Sequence, residues 1–386
     1  MTRRNILDFM GDKMIDIKSV CDCLINNEVD FFTGVPDSYL NSFCTYIVEN
    51  HPEKNVIAAN EGNAVAIAAG HYIATQKIPL VYMQNSGLGN AINPLVSLVD
   101  ENVYNIPMLL LIGWRGQPGT GDWPQHICQG KITPTLIDDM NIPYDILSSD
   151  IEKDLGMIRN AVSIAKKTRK PYALIVPKGI MTNNKENVID SSYHMSRRRA
   201  IEVILNNMPS DSIYCASTGR ITRELYYLRK ERGESNQFDF LNVGAMGHTS
   251  SVAVGIALSK PQRQCVVLDG DAATIMHMGS LTKASELNLA NCLHVILNNG
   301  VHESVGGQPS AGYKVNFTKI AEACGYATVG KEVTKEQELI DAIQILRKSN
   351  KMGFIDVWVH KGMEKKLPPL DFLHKEQLDT LMQELK

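Results

Sequence analysis

The chain has 386 residues, a net charge of −3 and eight cysteines, and a chain of this length is predicted to form two domains of about 190 residues each. Its dispersed charges argue against a nucleic-acid partner, and no apolar run approaches the roughly 20 residues that a membrane span needs. Because the N-terminus lacks a signal-peptide pattern and the cysteines are scattered, we expect a soluble, cytoplasmic protein with reduced thiols and no membrane partner.

The first half of the chain predicts a sheet of parallel strands. Continuous apolar runs recur along it, separated by segments with helical patterns, and the clearest runs are residues 80–83, 109–112 and 173–176. Strands that are apolar at successive positions are typical of parallel sheets whose two faces are both covered by helices. We therefore predict a doubly wound α/β domain over residues 1–183.

Glu61 stands where an apolar strand around Ile57 meets a long alanine-rich helix. Burial at this junction would raise the pKa of its carboxyl group and would suit it to holding a proton. A second interpretation needs no chemistry, because Asn60 can cap the helix and an acidic residue is favourable in a first helical turn.

A polar stretch after the first half predicts a linker at residues 184–196. The arginine run at 197–199 is expected to form the solvated start of a helix. The second domain is then predicted over residues 197–386, and this division leaves no room for a middle domain.

The second half repeats landmarks of the first. Gly70 corresponds to Gly255, and the apolar run 80–83 corresponds to 265–268, both at an offset of 185 residues. A fixed offset indicates two copies of one structural plan. The sequence therefore predicts two similar doubly wound parallel-sheet domains.

Two strands of the second half end in oxygen-bearing side chains. The run 266–268 leads towards Asp271, and the run 295–297 leads into Asn298 and Asn299. Because the carboxyl ends of parallel strands meet at one edge of a sheet, Asp271 and one of the asparagines can bind the same cation. Oxygen ligands suit Mg²⁺.

The residues after Asp271 predict a phosphate site. Apolar residues follow at roughly helical spacing through Leu287, so the turn at 270–273 would offer backbone N–H groups at a helix N-terminus. Taken singly, Asp-Gly and Asn-Gly are ordinary turn dipeptides, and only their combination points to a ligand.

Together the segments Gly270-Asp271-Ala272 and Asn298-Asn299 resemble the thiamine diphosphate-binding motif. The resemblance implies a pyrimidine-binding and a diphosphate-binding domain, in the minimal form of this enzyme family that lacks a middle domain. It implies that the cofactor is held together with Mg²⁺, with Asn298 left open as the alternative ligand. The implied metal ligands are Asp271, Asn299 and the carbonyl of Val301, and the implied cofactor contacts at this turn are Gly270, Asp271, Ala272 and Ala273.

The same resemblance assigns further cofactor residues. Glu61 is similar to the catalytic glutamate that hydrogen-bonds the aminopyrimidine ring. Met246, which follows Gly244, is similar to the apolar wedge that bends the cofactor, although methionine is also common core filler. Hydroxyl and N–H groups at the end of the first strand of this half are expected to bind the diphosphate, namely those of Ser217, Thr218 and Gly219.

The segments 34–38, 113–126 and 299–308 closely resemble phosphonopyruvate decarboxylases and the related sulfopyruvate decarboxylases. This resemblance covers nearly the whole chain and implies a small anionic 2-oxo acid as substrate. A phosphonate gives a physical reason for Arg115, because a guanidinium fork binds two oxygens at once. Pairing of Arg115 with Asp122 is the alternative.

The resemblance implies further substrate contacts at Asp37 and Ser38. His126 and His302 are candidates to orient the carboxylate or to transfer a proton, with a purely structural role as the alternative for each. The chain has Glu303 where the family usually has aspartate, which puts the positioning of this segment in question.

We therefore predict a thiamine diphosphate and Mg²⁺-dependent lyase that converts 3-phosphonopyruvate to phosphonoacetaldehyde and CO₂, in phosphonate biosynthesis of the 2-aminoethylphosphonate type. Glu61 and Asp271 must reach one cofactor from separate domains, so the site is expected at an interface. The family implies a homodimer or larger homo-oligomer with active sites at subunit interfaces. A sulfopyruvate decarboxylase, another 2-oxo acid decarboxylase and a non-catalytic cofactor-binding subunit are the alternatives.

Overall fold

The computed structural model describes residues 15–182, 193, 195–363 and 366–386. The chain forms two compact units, Met1–Lys185 and Glu186–Lys386. Most of the predicted linker at 184–196 lies outside the described residues, so the linker and the domain bounds at 183 and 197 stay predictions. No helix within the described ranges is both long enough and apolar enough to cross a membrane.

The first unit contains a parallel sheet that, within the described residues, has six strands in the order β2-β1-β3-β4-β6-β5. The strands are β1 Phe32–Gly34, β2 Asn55–Ile57, β3 Leu80–Gln84, β4 Leu109–Gly113, β5 Tyr144–Ile146 and β6 Tyr172–Val176. The helices are α1 Ile17–Asn26, α2 Asn41–Asn50, α3 Glu61–Thr75, α4 Leu88–Ser97, α5 Pro124–Asp139 and α6 Ile151–Thr168.

Alternate residues of the central strands enter two separate cores. Leu80 and Tyr82 of β3 pack on one face of the sheet with residues of α1, α2 and α6. Val81 and Met83 pack on the other face with residues of α3 and α4. Because both faces are buried, residues 80–83 of the strand are apolar at successive positions, as the sequence pattern indicated, and the strand ends in the polar Gln84.

The second unit contains a parallel sheet with the order β13-β10-β9-β7-β8 in the described residues, and a small antiparallel pair, β11 with β12. The strands are β7 Ile213–Ala216, β8 Asp239–Leu241, β9 Cys265–Gly270, β10 Cys292–Asn298, β11 Val301–His302, β12 Gln308–Pro309 and β13 Gly353–Trp358. The helices are α7 Arg197–Asn207, α8 Arg220–Glu231, α9 Thr249–Ser259, α10 Asp271–Met276, α11 Ser280–Glu286, α12 Phe317–Cys324, α13 Glu336–Leu346 and α14 His374–Glu384.

The two sheets follow the same plan. The order β8-β7-β9-β10-β13 of the second unit matches β2-β1-β3-β4-β6 of the first, which adds only β5 at one edge. Val266 and Leu268 of β9 pack towards α7, α8 and α13, whereas Cys265 and Val267 pack towards α9, α11 and α12. The prediction of two similar parallel-sheet α/β domains is therefore confirmed.

Two local predictions are wrong. The helix expected from Asp271 through Leu287 is broken into α10 and α11, because His277 leaves the helical conformation (φ −132°, ψ 44°) and Gly279 precedes the next helix. The expected solvation of the arginines at 197–199 fails for Arg197, which is only 3% exposed although it begins α7 as predicted.

Candidate active site

Asp271 is a buried carboxylate at the carboxyl edge of the second sheet. It follows β9 directly and is 2% exposed. Burial raises its pKa to about 6, against the opposing effect of hydrogen bonds from the Ser310 hydroxyl and from the backbone N–H groups of Ala272 and Asn299. Among the described residues we find no cationic side chain paired with it. A buried acid in such surroundings is suited to a bound cation.

Asn298 and Asn299 lie beside this carboxylate, because β10 neighbours β9 in the sheet. The Asn298 amide is fully buried, and its Nδ2 donates to the Gly312 carbonyl at 2.9 Å and to Asp356 Oδ1 at 3.3 Å. Asn299 Nδ2 donates to Glu303 Oε2 at 2.8 Å, and its Oδ1 accepts from Val301 N at 3.2 Å. The structure thus brings the predicted ligands together, and the choice of Asn299 as the ligand stays a prediction.

Gly312 closes one side of the cluster, and sequence reasoning missed it. A Cβ atom at this position would lie 2.3 Å from Asp271 Oδ2 and 2.4 Å from Asn298 Oδ1. Two oxygen atoms from neighbouring strands therefore converge on a position where only glycine leaves space. Within the described residues no group of three or more His, Cys, Asp or Glu side chains could hold a metal, so a cation here would need amide or carbonyl oxygens beside the single carboxylate.

The predicted phosphate residues lie on two turns of the same unit. Ser217, Thr218 and Gly219 connect β7 to α8, and Gly219 has a left-handed φ of +97° that favours glycine. The side chain of Ser304 lies 3.6 Å from where a Cβ on Gly219 would be. The second turn is the start of α10, which contains the predicted Gly270, Asp271, Ala272 and Ala273.

The loop with Gly244 and Met246 packs against α10. Gly247 has φ +82°, and a Cβ on it would lie 2.9 Å from the Ala273 carbonyl oxygen and 2.7 Å from the His277 ring. This close approach brings the loop to the helix that begins at Asp271. Met246 itself is only half-buried, which sets it apart from a methionine that fills a core.

Glu61 begins α3 in the first unit and is 5% exposed. Asn90 of α4 donates to its Oε2 at 2.7 Å, and Gly87 packs against its side chain. Burial raises the pKa of Glu61, and the hydrogen bond from Asn90 opposes that shift. Asn60 caps the helix through the N–H of Asn63 at 2.9 Å, so capping is done by Asn60 and the Glu61 carboxyl is held by other elements.

Arg115 follows β4 and forms a bidentate ion pair with Asp122, from Nε at 2.7 Å and from Nη2 at 2.6 Å. Its Nη1 donates to Ser38 Oγ at 3.1 Å, and its guanidinium lies over the Tyr39 ring at 4.8 Å. The alternative pairing considered from the sequence is therefore present, but the side chains are 14% and 4% exposed rather than lying on the surface. Of five guanidinium N–H donors, these bonds use three and leave one on each Nη atom.

Asp37 lies next to this pair and is fully buried. Its Oδ2 accepts from Tyr39 N at 2.9 Å, whereas its Oδ1 is buried without a hydrogen-bond partner in the part of the chain that the structure describes. Burial raises the pKa of Asp37 to about 6, and the nearby Arg115 charge opposes the shift. The structure therefore brings Asp37, Ser38 and Arg115 together in the first unit.

The two candidate histidines are neutral at neutral pH. His126 lies in the first turn of α5, where burial and then the Arg115 charge lower its pKa to about 4. His302 lies on β11 in the second unit, and burial lowers its pKa to about 4. A neutral imidazole can accept a proton or orient a ligand by hydrogen bonding.

Comparison with known proteins agrees with this arrangement. Residues 17–141 match the family described as "Thiamine pyrophosphate enzyme, N-terminal TPP binding domain", and residues 217–357 match "Thiamine pyrophosphate enzyme, C-terminal TPP binding domain". The chain is 33% identical over 327 residues to the phosphonopyruvate decarboxylase of Streptomyces viridochromogenes, which covers 80% of each chain.

Two further curated relatives show the same grouping. The phosphonopyruvate decarboxylase of Streptomyces hygroscopicus is 31% identical, with 82% of this chain and 80% of the relative covered. The sulfopyruvate decarboxylase of Methanosarcina acetivorans is 26% identical, with 89% and 91% covered. The chain therefore belongs to the family of thiamine pyrophosphate-dependent decarboxylases that includes the phosphonopyruvate and sulfopyruvate decarboxylases.

Proposed function

We propose that this protein decarboxylates 3-phosphonopyruvate to phosphonoacetaldehyde and CO₂ with thiamine diphosphate and Mg²⁺, in the cytoplasm and in a pathway of phosphonate biosynthesis. The observation that carries the substrate assignment is the identity of 33% and 31% to two phosphonopyruvate decarboxylases, against 26% to the sulfopyruvate decarboxylase. The cluster of Arg115, Ser38 and Asp37 supports an anionic substrate.

The metal assignment is supported by the surroundings of Asp271. Its buried carboxylate contacts the loop after β10, so Asp271, an amide oxygen of Asn299 and the Val301 carbonyl would hold Mg²⁺. Hydroxyl and N–H groups at Ser217, Thr218 and Gly219 and at the start of α10 would contact the diphosphate.

The catalytic assignment rests on Glu61. When bound, thiamine diphosphate supplies the electron sink that decarboxylation of a 2-oxo acid requires. Burial raises the pKa of the Glu61 carboxyl group, so it holds a proton more readily than an exposed glutamate, which favours a hydrogen bond to a pyrimidine nitrogen. Asn90 Nδ2 donates to Glu61 Oε2 at 2.7 Å, and this hydrogen bond fixes the orientation of the carboxyl group.

The phosphonate of the substrate would bind the Nη1 and Nη2 atoms of the Arg115 guanidinium. Asp122 occupies Nε and one N–H of Nη2, and Ser38 occupies one N–H of Nη1, so one N–H group on each Nη atom is left to donate to an anion. The hydroxyl of Ser38 accepts from Nη1 and retains its own O–H as a further donor. Neutral His126 and His302 would orient the carboxylate or accept a proton.

We further propose at least a homodimer. Large apolar side chains are exposed on two of the helices, with Ile73 of α3 at 69% and Leu258 of α9 at 48%. A partner subunit would cover such side chains, in line with the homo-oligomer that the resemblance to this enzyme family implies.

Steady-state aldehyde formation from phosphonopyruvate, sulfopyruvate and pyruvate, measured side by side with added thiamine diphosphate and Mg²⁺, tests the proposal. We expect the highest kcat/KM for phosphonopyruvate. A preference for sulfopyruvate, which the relative from Methanosarcina acetivorans makes the second candidate, would move the substrate assignment. Cofactor binding without turnover of any of the three would contradict this function and leave another 2-oxo acid or a non-catalytic subunit.

A further inference from the structure

A buried network of ionic side chains reaches the loop after β10, which contains the predicted metal ligands Asn299 and Val301 and is called the metal loop below. Arg197, the first residue of α7, donates from Nε and Nη2 to Glu224 of α8 at 2.7 and 2.9 Å. Its Nη1 donates to Glu303 Oε2 at 2.5 Å. The side chains of all three residues are between 4% and 8% exposed. The network therefore joins two helices to the short 3₁₀ helix at Glu303–Val305.

The far end of the network is Asn299. The same oxygen of Glu303 that accepts from Arg197 also accepts from Asn299 Nδ2 at 2.8 Å. This bond fixes which way the amide faces, because Nδ2 is taken by Glu303. Oδ1 accepts from Val301 N at 3.2 Å and keeps a second lone pair that can bind a cation. Outer groups that orient a metal ligand in this way tune metal affinity in many proteins.

Burial of this network needs a reason other than stability. A buried ion pair gains little over well-packed apolar side chains, because both charges lose their hydration. The neighbouring Arg198 shows the ordinary arrangement, since it pairs with Glu231 at 2.6 Å while the two side chains are 21% and 41% exposed. Arg197 differs in being buried and in ending at a predicted ligand.

We propose that Glu303, held by Arg197, which Glu224 holds in turn, is a positioning residue that orients Asn299 for Mg²⁺. The inference rests on the proposed function, since it presupposes that Asp271 and Asn299 hold the metal. Glu303 stands where the family usually has aspartate, and its longer side chain has a physical role here. It spans from Asn299 in the metal loop to Arg197 of α7.

The test measures thiamine diphosphate binding at increasing Mg²⁺ concentrations. Calorimetry without substrate is the readout. We expect Glu303→Ala to raise the Mg²⁺ concentration at half-saturation by about 10–100-fold. Glu303→Gln should restore most of the loss, because a correctly placed amide oxygen can still accept from both donors. Arg198→Ala, which removes a half-buried arginine of the same helix that pairs with Glu231, is the matched control and should leave the midpoint unchanged.

A double-variant cycle separates positioning from general damage. If Glu303 acts through Asn299, Glu303→Ala should cause no further loss in an Asn299→Ala background. Fully additive losses, or a folded Glu303→Ala protein with a wild-type midpoint, would overturn the inference. If circular dichroism shows that Glu303→Ala does not fold, the cycle is run under the same criteria with Glu303→Asp, whose side chain is one methylene too short to reach both Arg197 and Asn299. Absence of Mg²⁺-dependent cofactor binding in the wild type would instead remove the proposed function and this inference with it.

Discussion

Replacement of Gly312 by alanine tests the predicted cation site with the smallest possible change. The substitution alters no charge and removes no hydrogen-bonding group. The new Cβ would lie 2.3 Å from Asp271 Oδ2 and 2.4 Å from Asn298 Oδ1, whereas ordinary contact begins at 3.4 Å. Each oxygen atom must therefore move by about 1 Å, or the backbone must move by as much.

The size of the effect follows from that displacement. We expect Mg²⁺ affinity to fall by about 10–100-fold, the range seen when ligands are disturbed from outside the coordination shell. A misplacement of about 1 Å also costs on the order of 100-fold in rate. Overpacking should lower the free energy of unfolding by about 1–3 kcal/mol.

The assay is the Mg²⁺ midpoint for thiamine diphosphate binding, with the melting temperature measured in parallel. Gly255→Ala is the matched control, because Gly255 lies inside α9 and a Cβ there meets nothing within 4 Å. That control should stabilise the protein by about 0.5–1 kcal/mol and leave the midpoint unchanged. A Gly312→Ala protein that binds Mg²⁺ as tightly as the control would refute the assignment of this cluster as the cation site.

Three further results are expected. Glu61→Gln should lower kcat by about 10²–10⁴-fold in aldehyde formation while cofactor affinity changes little, and wild-type turnover would contradict the catalytic role. Arg115→Ala should raise KM for phosphonopyruvate by about 10–100-fold, because the charged hydrogen bonds to the phosphonate are lost. It should change KM for pyruvate much less. Equal changes in the two KM values would mean that the phosphonate binds elsewhere. For the metal-free protein, stability should fall as pH rises from about 4 to 6, because burial raises the pKa of Asp271 from 3.8 to about 6 and the unfolded chain loses this proton first. Asp271→Asn should remove that part of the slope in thermal melts, and an identical slope in both proteins would contradict it.

The fold was readable because both sheets are covered on two faces. Residues 80–83 of β3 and 265–268 of β9 are apolar at successive positions, and this pattern separates a sheet that is covered on both faces from one with an exposed face. The edge strand β5 gave no such pattern, since it is only three residues long and Ile146 is 38% exposed. Its place was therefore set by packing that the local sequence does not record.

The site was predictable where topology decides position. Asp271 and Asn299 follow neighbouring strands, so their proximity follows from the sheet. Their supporting groups come from elsewhere: Asn90 lies 29 residues from Glu61, and Ser310 lies 39 residues from Asp271. Such contacts depend on how loops return to the strand ends, which no periodicity encodes.

Arg197 is a different case, because its burial was encoded in the sequence. Positions 197, 200, 201 and 204 share one face of a helix, and the last three are Ala200, Ile201 and Ile204, all fully buried. Three consecutive arginines cannot all face solvent on a helix with such a face, so the one on the apolar stripe must be buried. A buried guanidinium needs carboxylate partners, and one of the two that bind Arg197 also holds Asn299. A charge that interrupts an apolar helical stripe therefore points to a buried polar network, and here that network leads to the predicted metal site.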